Sequence, residues 1–202
     1  MINRRNVLRG GGAASLGALA ITAVAGGTDL ATAATRRPEL LGDPASTPQA
    51  ESLWPAHLTH TERRNLQVFD ELDFDVYSGQ QWNRLGESHA RNIRVHWPDG
   101  HYTDGIEQHI ADLRSQFVWA PDTRITEHPI RIAKDNLTSV TGVMKGTFSR
   151  PMPDGNGGSI QPTGKEFSIN MATVGLWNKH GVMEEEFLFW DNQTFLQQIG
   201  LA

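Results

Sequence analysis

The residues best suited to chemistry lie near the C-terminal end, where the chain reads Met183-Glu184-Glu185-Glu186-Phe187-Leu188-Phe189-Trp190-Asp191. Read as a β-strand, this run puts Met183, Glu185, Phe187, Phe189 and Asp191 on one face and Glu184, Glu186, Leu188 and Trp190 on the other. The first face leads through two phenylalanine rings to a carboxylate, with Phe187 and Phe189 as candidate substrate contacts. A carboxylate among rings loses hydration, which raises its pKa and suits it to act as an acid or base near neutral pH. Asp191 also precedes a helical pattern beginning at Asn192, and Asp is a favoured helix N-cap. The two roles compete, because a side chain bonded to its own helix's amides is a poorer base. If Asn178–Gly181 closes a four-residue hairpin, Asp191 lies across from about Ser168 with Asn170 diagonal to it, and a one-residue slip replaces both with Phe167 and Ile169. In the first register Asn170 orients Asp191 or binds a substrate oxygen. As a half-buried, hydrogen-bonded amide it has no such role.

His89, His96, His101 and His109 follow one another at spacings of seven, five and eight, which match no metal-ligand motif, so no metal is expected. His96 and Trp97 point to opposite faces of their strand, so one of the two reaches a pocket. His96 is the candidate helper of Asp191, and Trp97, Phe117 and Trp119 are candidate aromatic walls for a substrate. The chain has no cysteine, which excludes disulfides, Cys-ligated zinc, iron–sulfur clusters and a thiol nucleophile. It has no G-x-S-x-G, Walker loop or G-x-G-x-x-G. The formal charge of −5 becomes −7 without residues 1–33, leaving 15 basic against 22 acidic side chains. Neither nucleic acid nor an anionic membrane surface is attracted by such a balance.

These residues must be positioned by the elements around them. Thr59-His60-Thr61-Glu62 matches a capping box, and Leu66, Phe69, Leu72 and Val76 continue at helical spacing to Ser78-Gly79. A short second helix around Trp82 and Leu85 leads to a strand with Ile93, Val95 and Trp97 alternating, then to a turn at Pro98-Asp99-Gly100. A third helix opens at Asp104 and Glu107, carries the stripe Ile106, Ile110, Leu113 and Phe117, and closes at Pro121. Four strands follow: Ile125–Ala133, Leu137–Ser149, Lys165–Trp177 and Val182–Trp190, and a C-terminal helix turns Phe195 and Ile199 inward. Long strands beside amphipathic helices imply an α+β fold, a curved antiparallel sheet whose concave face holds a pocket. The loop Arg150–Gly164 is too long for a tight hairpin and is either a lid or a mobile tip.

The first residues form an address rather than structure. Asn3-Arg4-Arg5-Asn6-Val7-Leu8-Arg9, a weakly apolar Gly/Ala run and Ala31-Thr32-Ala33 match a cleavable twin-arginine export signal over residues 1–33. A membrane anchor is the competing reading, but the run Gly10–Gly27 falls short of the ~20 strongly apolar residues a span needs. Residues 34–55, with Pro38, Pro44, Pro48 and Pro55, have linker composition and precede the domain at 56–202. The expected location is periplasmic or extracellular, with no membrane span after cleavage.

The ending Glu185-Glu186-Phe187-Leu188-Phe189-Trp190-Asp191-Asn192, followed by Phe195-Leu196-Gln197-Gln198-Ile199-Gly200-Leu201, resembles the close of SnoaL-like polyketide and ester cyclases in the nuclear-transport-factor-2-like (NTF2-like) superfamily. Val95-His96-Trp97-Pro98-Asp99-Gly100, the Gly105–Leu113 helix and Pro162-Thr163-Gly164-Lys165 are similar to the same group. The resemblance implies a cone-shaped α+β barrel, with a curved sheet packed on three helices around a pocket, and no cofactor. It also implies that the Asp matching Asp191 is the general acid/base of an intramolecular aldol closure. The chain departs from the pattern at Ala172-Thr173-Val174-Gly175-Leu176-Trp177, where the cyclases place a histidine or comparable polar support. Its expected function is that of a cofactor-independent acid/base enzyme, cyclase-like or isomerase-like, acting on a small hydrophobic carbonyl compound. The alternatives are an exported binding protein with the same pocket, or a homodimer formed through Trp177, Leu188 and Trp190 on the sheet's outer face.

Overall fold

The computed structural model describes residues 54–202, so the export signal and nearly all of the linker lie outside the described residues. Helix α1 (His60–Glu71) begins with the expected reciprocal cap: the Glu62 amide donates to Thr59 Oγ1 at 3.2 Å, and the Thr59 amide to Glu62 Oε2 at 2.8 Å. The other Glu62 oxygen accepts the Asp135 amide at 2.9 Å, which ties the start of the helix to a distant strand turn. Leu66, Phe69, Leu72 and Val76 are all buried. From Leu72 to Tyr77 the helix widens into a π-turn, a distortion that recurs at functional sites because it re-aims side chains. A 3-10 turn at Trp82–Glu87 then delivers the chain to β1 (His89–His96) and β2 (Tyr102–Asp104), and α2 (Ile106–Trp119) follows.

The expected strand Ile125–Ala133 is two short strands, β3 (Arg124–Ile125) and β4 (Arg131–Lys134). Pro129 offers no N–H to a ladder, and the wholly buried His128 before it turns away to bond α1 and the π-turn. The long strands are β5 (Leu137–Thr147), β8 (Glu166–Trp177) and β9 (Met183–Trp190), and α3 (Asn192–Ile199) closes the chain. Within the loop Arg150–Gly164, Met152–Pro153 (β6) pairs with Ser159–Ile160 (β7) as a small hairpin of its own.

The main sheet runs β2-β1-β9-β8-β5-β3, with β4 also on β5, and is antiparallel except for β1 beside β9. Its end strands β2 and β3 do not pair among the described residues, so the sheet is curved and open and not the expected closed barrel. Two groups of buried side chains fill the space between sheet and helices, one around Leu66, Phe69, Val95 and Trp177, the other around Phe117, Phe148, Phe167 and Phe195.

One irregularity reverses a sequence expectation. β9 pairs Leu176 with Glu185 but Trp177 with Met183, so Glu184 is an extra residue, a β-bulge. Met183 faces the interior, and beyond the bulge the alternation inverts: Glu186 and Leu188 are buried while Phe189 is 53% exposed. The face carrying Phe187, Phe189 and Asp191 is therefore the outer one. Trp177 and Leu188, expected on an outer dimer surface, are buried in the core, and Trp190 packs against it.

Candidate functional site

Between the sheet and the helices lies a cavity of about 100 Å³ with a mostly apolar wall, to which Trp97, Trp119, Met144, Met171 and Phe195 contribute. The π-turn, α2 and three strands send polar groups into it. The π-turn supplies Asp73 and Tyr77, α2 supplies His109, Asp112 and Gln116, and the strands supply His89, Thr173 and Glu186.

Asp73 is backed by a buried chain of charge-assisted hydrogen bonds. His128 Nε2 lies 2.7 Å from Asp73 Oδ2 and His128 Nδ1 lies 2.7 Å from Asp70 Oδ1. Arg131 grips Asp70 with Nε at 2.9 Å and Nη2 at 2.9 Å. Burial pushes the Asp73 carboxyl up, against the opposing pull of His128. Burial alone would lower His128, but its bonds to Asp70 and Asp73 outweigh it and the net direction is up. One helical turn from Asp73, burial pushes the Tyr77 phenol up, so it stays protonated. Its hydroxyl donates to the weak acceptor Met144 Sδ, at 3.6 Å.

Farther along the cavity Glu186 Oε2 lies 3.5 Å from His89 Nε2 and 3.4 Å from His109 Nε2. All three side chains are at least nine-tenths buried, and among the described residues neither His89 Nε2 nor Glu186 Oε2 has a hydrogen-bond partner. His89 and His109 are twenty residues apart and Glu186 far beyond both, so linear spacing concealed a cluster that β1, α2 and β9 assemble. Burial pushes the His109 imidazole well below its ordinary value, and His89 adds to this. Burial likewise pushes the Asp112 carboxyl up, with Gln108 donating to its Oδ1 at 2.8 Å.

Of the residues singled out from sequence, Trp97 and Trp119 line the cavity, while Phe117 packs behind it against Tyr77 and Trp82. His96 is on the outer face, stacked on Phe187 with centroids 4.2 Å apart and bonded to Glu185 at 3.0 Å. Asn170, Phe189 and Asp191 do come together, but in a shallow depression on that same outer face. Asp191 is the N-cap of α3: it accepts the amides of Gln193 at 2.9 Å and Thr194 at 3.2 Å and the Thr194 hydroxyl at 2.6 Å. Those bonds, the Thr194 hydroxyl foremost, hold its carboxyl below the usual carboxylate range, the opposite of what a base near neutral pH needs. Asp73 and Tyr77 left one trace in the sequence, since they continue the buried row begun by Phe69 at intervals of four and place a carboxylate inside an apolar stripe.

Solved structures with this fold include a candidate SnoaL-like polyketide cyclase from Jannaschia sp. CCS1 (18% identity, TM-score 0.63, 72% of this chain and 97% of that one). IdmH, a candidate polyketide cyclase from Streptomyces antibioticus, is similar at 20% identity and TM-score 0.58, over 67% of this chain and 98% of its own. AclR, a candidate hydroxylase from Streptomyces galilaeus, matches at 12% identity and TM-score 0.57, over 69% of this chain and 97% of its own. No curated protein matches the chain by sequence. Among the described residues no helix is long and apolar enough to cross a membrane. Residues 69–199, well over half the chain and spanning every element that builds the cavity, match the family model described as SnoaL-like polyketide cyclase, and the chain belongs to that family.

Proposed function

We propose that the protein is an acid/base enzyme of the cyclase or isomerase kind, acting in its interior cavity on a small hydrophobic carbonyl compound. The observation that carries this reading is the pairing of Asp73 with Tyr77 on one π-turn, inside an apolar wall. A carboxyl pushed up by burial, with the His128 bond opposing that rise, is in its ionised form a stronger base than an exposed aspartate. A phenol held protonated donates to an oxygen that gains negative charge. Asp73 takes the proton from the carbon beside the substrate carbonyl, and Tyr77 donates to the enolate oxygen as it forms. Return of the proton to another carbon completes an isomerisation. Attack of the enolate carbon on a second carbonyl, with the proton going to the new alkoxide, completes an aldol ring closure. The same division of labour between a buried aspartate and phenolic or carboxylic donors is known from ketosteroid isomerase.

The mostly apolar wall favours a hydrophobic substrate, which gains by leaving water there. The N-terminal twin-arginine pattern supports a site of action outside the cytoplasm. A structure with a hydrophobic β-keto ester bound tests the reading: its carbonyl oxygen should lie within hydrogen-bond distance of Tyr77 and its α-carbon beside Asp73. A ligand seated instead in the outer depression at Asn170 and Asp191 would overturn it.

A further inference from the structure

We propose that His89, His109 and Glu186 form a binding site for a divalent first-row transition-metal ion of the zinc or iron(II) class. The three ligand atoms lie within 4.8 Å of one another. The separations of 3.5 and 3.4 Å between Glu186 Oε2 and the two Nε2 atoms are close to the edge of a tetrahedron around a metal, about 3.3–3.4 Å for metal–ligand lengths of about 2.0–2.1 Å.

The hydrogen bonding around His89 shows what the site lacks. The single Ser88 hydroxyl proton goes to the Leu85 carbonyl at 3.1 Å, because a carbonyl only accepts. With that proton so placed, Ser88 Oγ, 2.8 Å from His89 Nδ1, accepts from that nitrogen in the tautomer of His89 that is protonated on Nδ1. In that tautomer the Nε2 lone pair faces Glu186 Oε2 at 3.5 Å, and among the described residues neither atom has a hydrogen-bond partner. Two acceptors aimed at one another in a buried site call for a cation between them. Anchoring of the far imidazole nitrogen by a hydroxyl is also how ligand histidines are held in register.

Two imidazoles and one carboxylate leave further coordination positions open, the donor set of catalytic zinc sites and of non-haem iron(II) sites. The ligands come from β1, α2 and β9, elements fixed by the sheet and by core packing. No serine hydroxyl beyond Ser88, cysteine or third histidine is needed. Because the cluster opens on the cavity, an ion there would meet the polar end of whatever the cavity holds.

The test uses the full chain, stripped with chelator and titrated with Zn2+ and with Co2+ as a spectroscopic substitute. One equivalent should bind saturably, and Co2+ should give the intense visible absorption of a low-symmetry site. X-ray absorption of the loaded wild-type protein should count two imidazoles. Ser88→Ala should weaken binding about 10–100-fold, and Glu186→Gln by more. If wild-type protein binds no stoichiometric metal, a proton fills the gap and the proposal is wrong. It is equally wrong if the absorption data show fewer than two imidazoles, a result that needs no variant to fold. These measurements involve no substrate and do not touch Asp73, so they stand or fall apart from the proton-transfer reading.

Discussion

Replacing His128 with alanine removes the imidazole that joins Asp70 and Asp73 under the π-turn. The side chain is wholly buried and makes contacts of 2.7 Å on both ring nitrogens. Asp70 keeps its two bonds from Arg131, so the variant orphans mainly Asp73, which is itself buried. Breaking a buried ionic pair from one side costs about 3–5 kcal/mol, and with a single orphan we expect the lower part of that range. The loss should depend on pH. The folded His128 pKa is raised, so its stabilisation is complete below the unfolded value of about 6.5 and disappears as pH rises through the folded value. Asp73 is raised as well, so in the variant it escapes its unpaired charge by taking a proton as pH falls. The difference between wild type and His128→Ala should therefore shrink as pH rises through the folded His128 value, and shrink again at acid pH once Asp73 takes a proton. Urea unfolding followed by tryptophan fluorescence across a pH series measures this. A difference below about 1 kcal/mol at neutral pH, or one that does not vary with pH, would show that the buried charged network does not exist as described.

The cap at Asp191 predicts that Asp191→Ala lowers the melting temperature by a few degrees while Asp191→Asn leaves it nearly unchanged, because asparagine caps about as well as aspartate. A stability loss of equal size in both variants, read by thermal unfolding, would contradict that role. Trp177→Phe should cost about 1 kcal/mol, the bond from Trp177 Nε1 to Thr138 Oγ1 at 2.8 Å being buried, and chemical denaturation reads it directly. If residues 1–33 are an export signal, mass spectrometry of secreted protein should find an N-terminus near Ala34, and an intact N-terminus in the membrane fraction would make the segment an anchor.

The fold was legible in the sequence where a pattern is local. The Thr59–Glu62 cap, the Leu66–Phe69–Leu72–Val76 stripe and the inward Phe195 and Ile199 all appear where periodicity puts them. The site was less legible because a single bulge at Glu184 inverted the alternation of β9 and exchanged its inner and outer faces. That exchange put Glu186 on the face that simple alternation makes the outer one, and it promoted Asp191. On α2 the apolar stripe was visible, yet Ile106, Ile110 and Leu113 are only partly buried, and His109 and Asp112 on the neighbouring face are buried at the cavity. An interior pocket reverses the usual rule for a helix, since polar residues point inward where a ligand replaces packing. His128 was invisible for another reason: its partners Asp70 and Asp73 are more than fifty residues away in sequence.

Proton transfer at Asp73 inside the cavity is open to direct measurement. Incubating the protein in D2O with hydrophobic β-keto esters, and following deuterium entry at the α-carbon by NMR, tests it without knowledge of the natural substrate. Wild type should accelerate exchange, Asp73→Asn should lose about 10²–10⁴ of that acceleration, and Asp191→Asn should retain it. Exchange that survives Asp73→Asn, or that disappears with Asp191→Asn, would contradict the account.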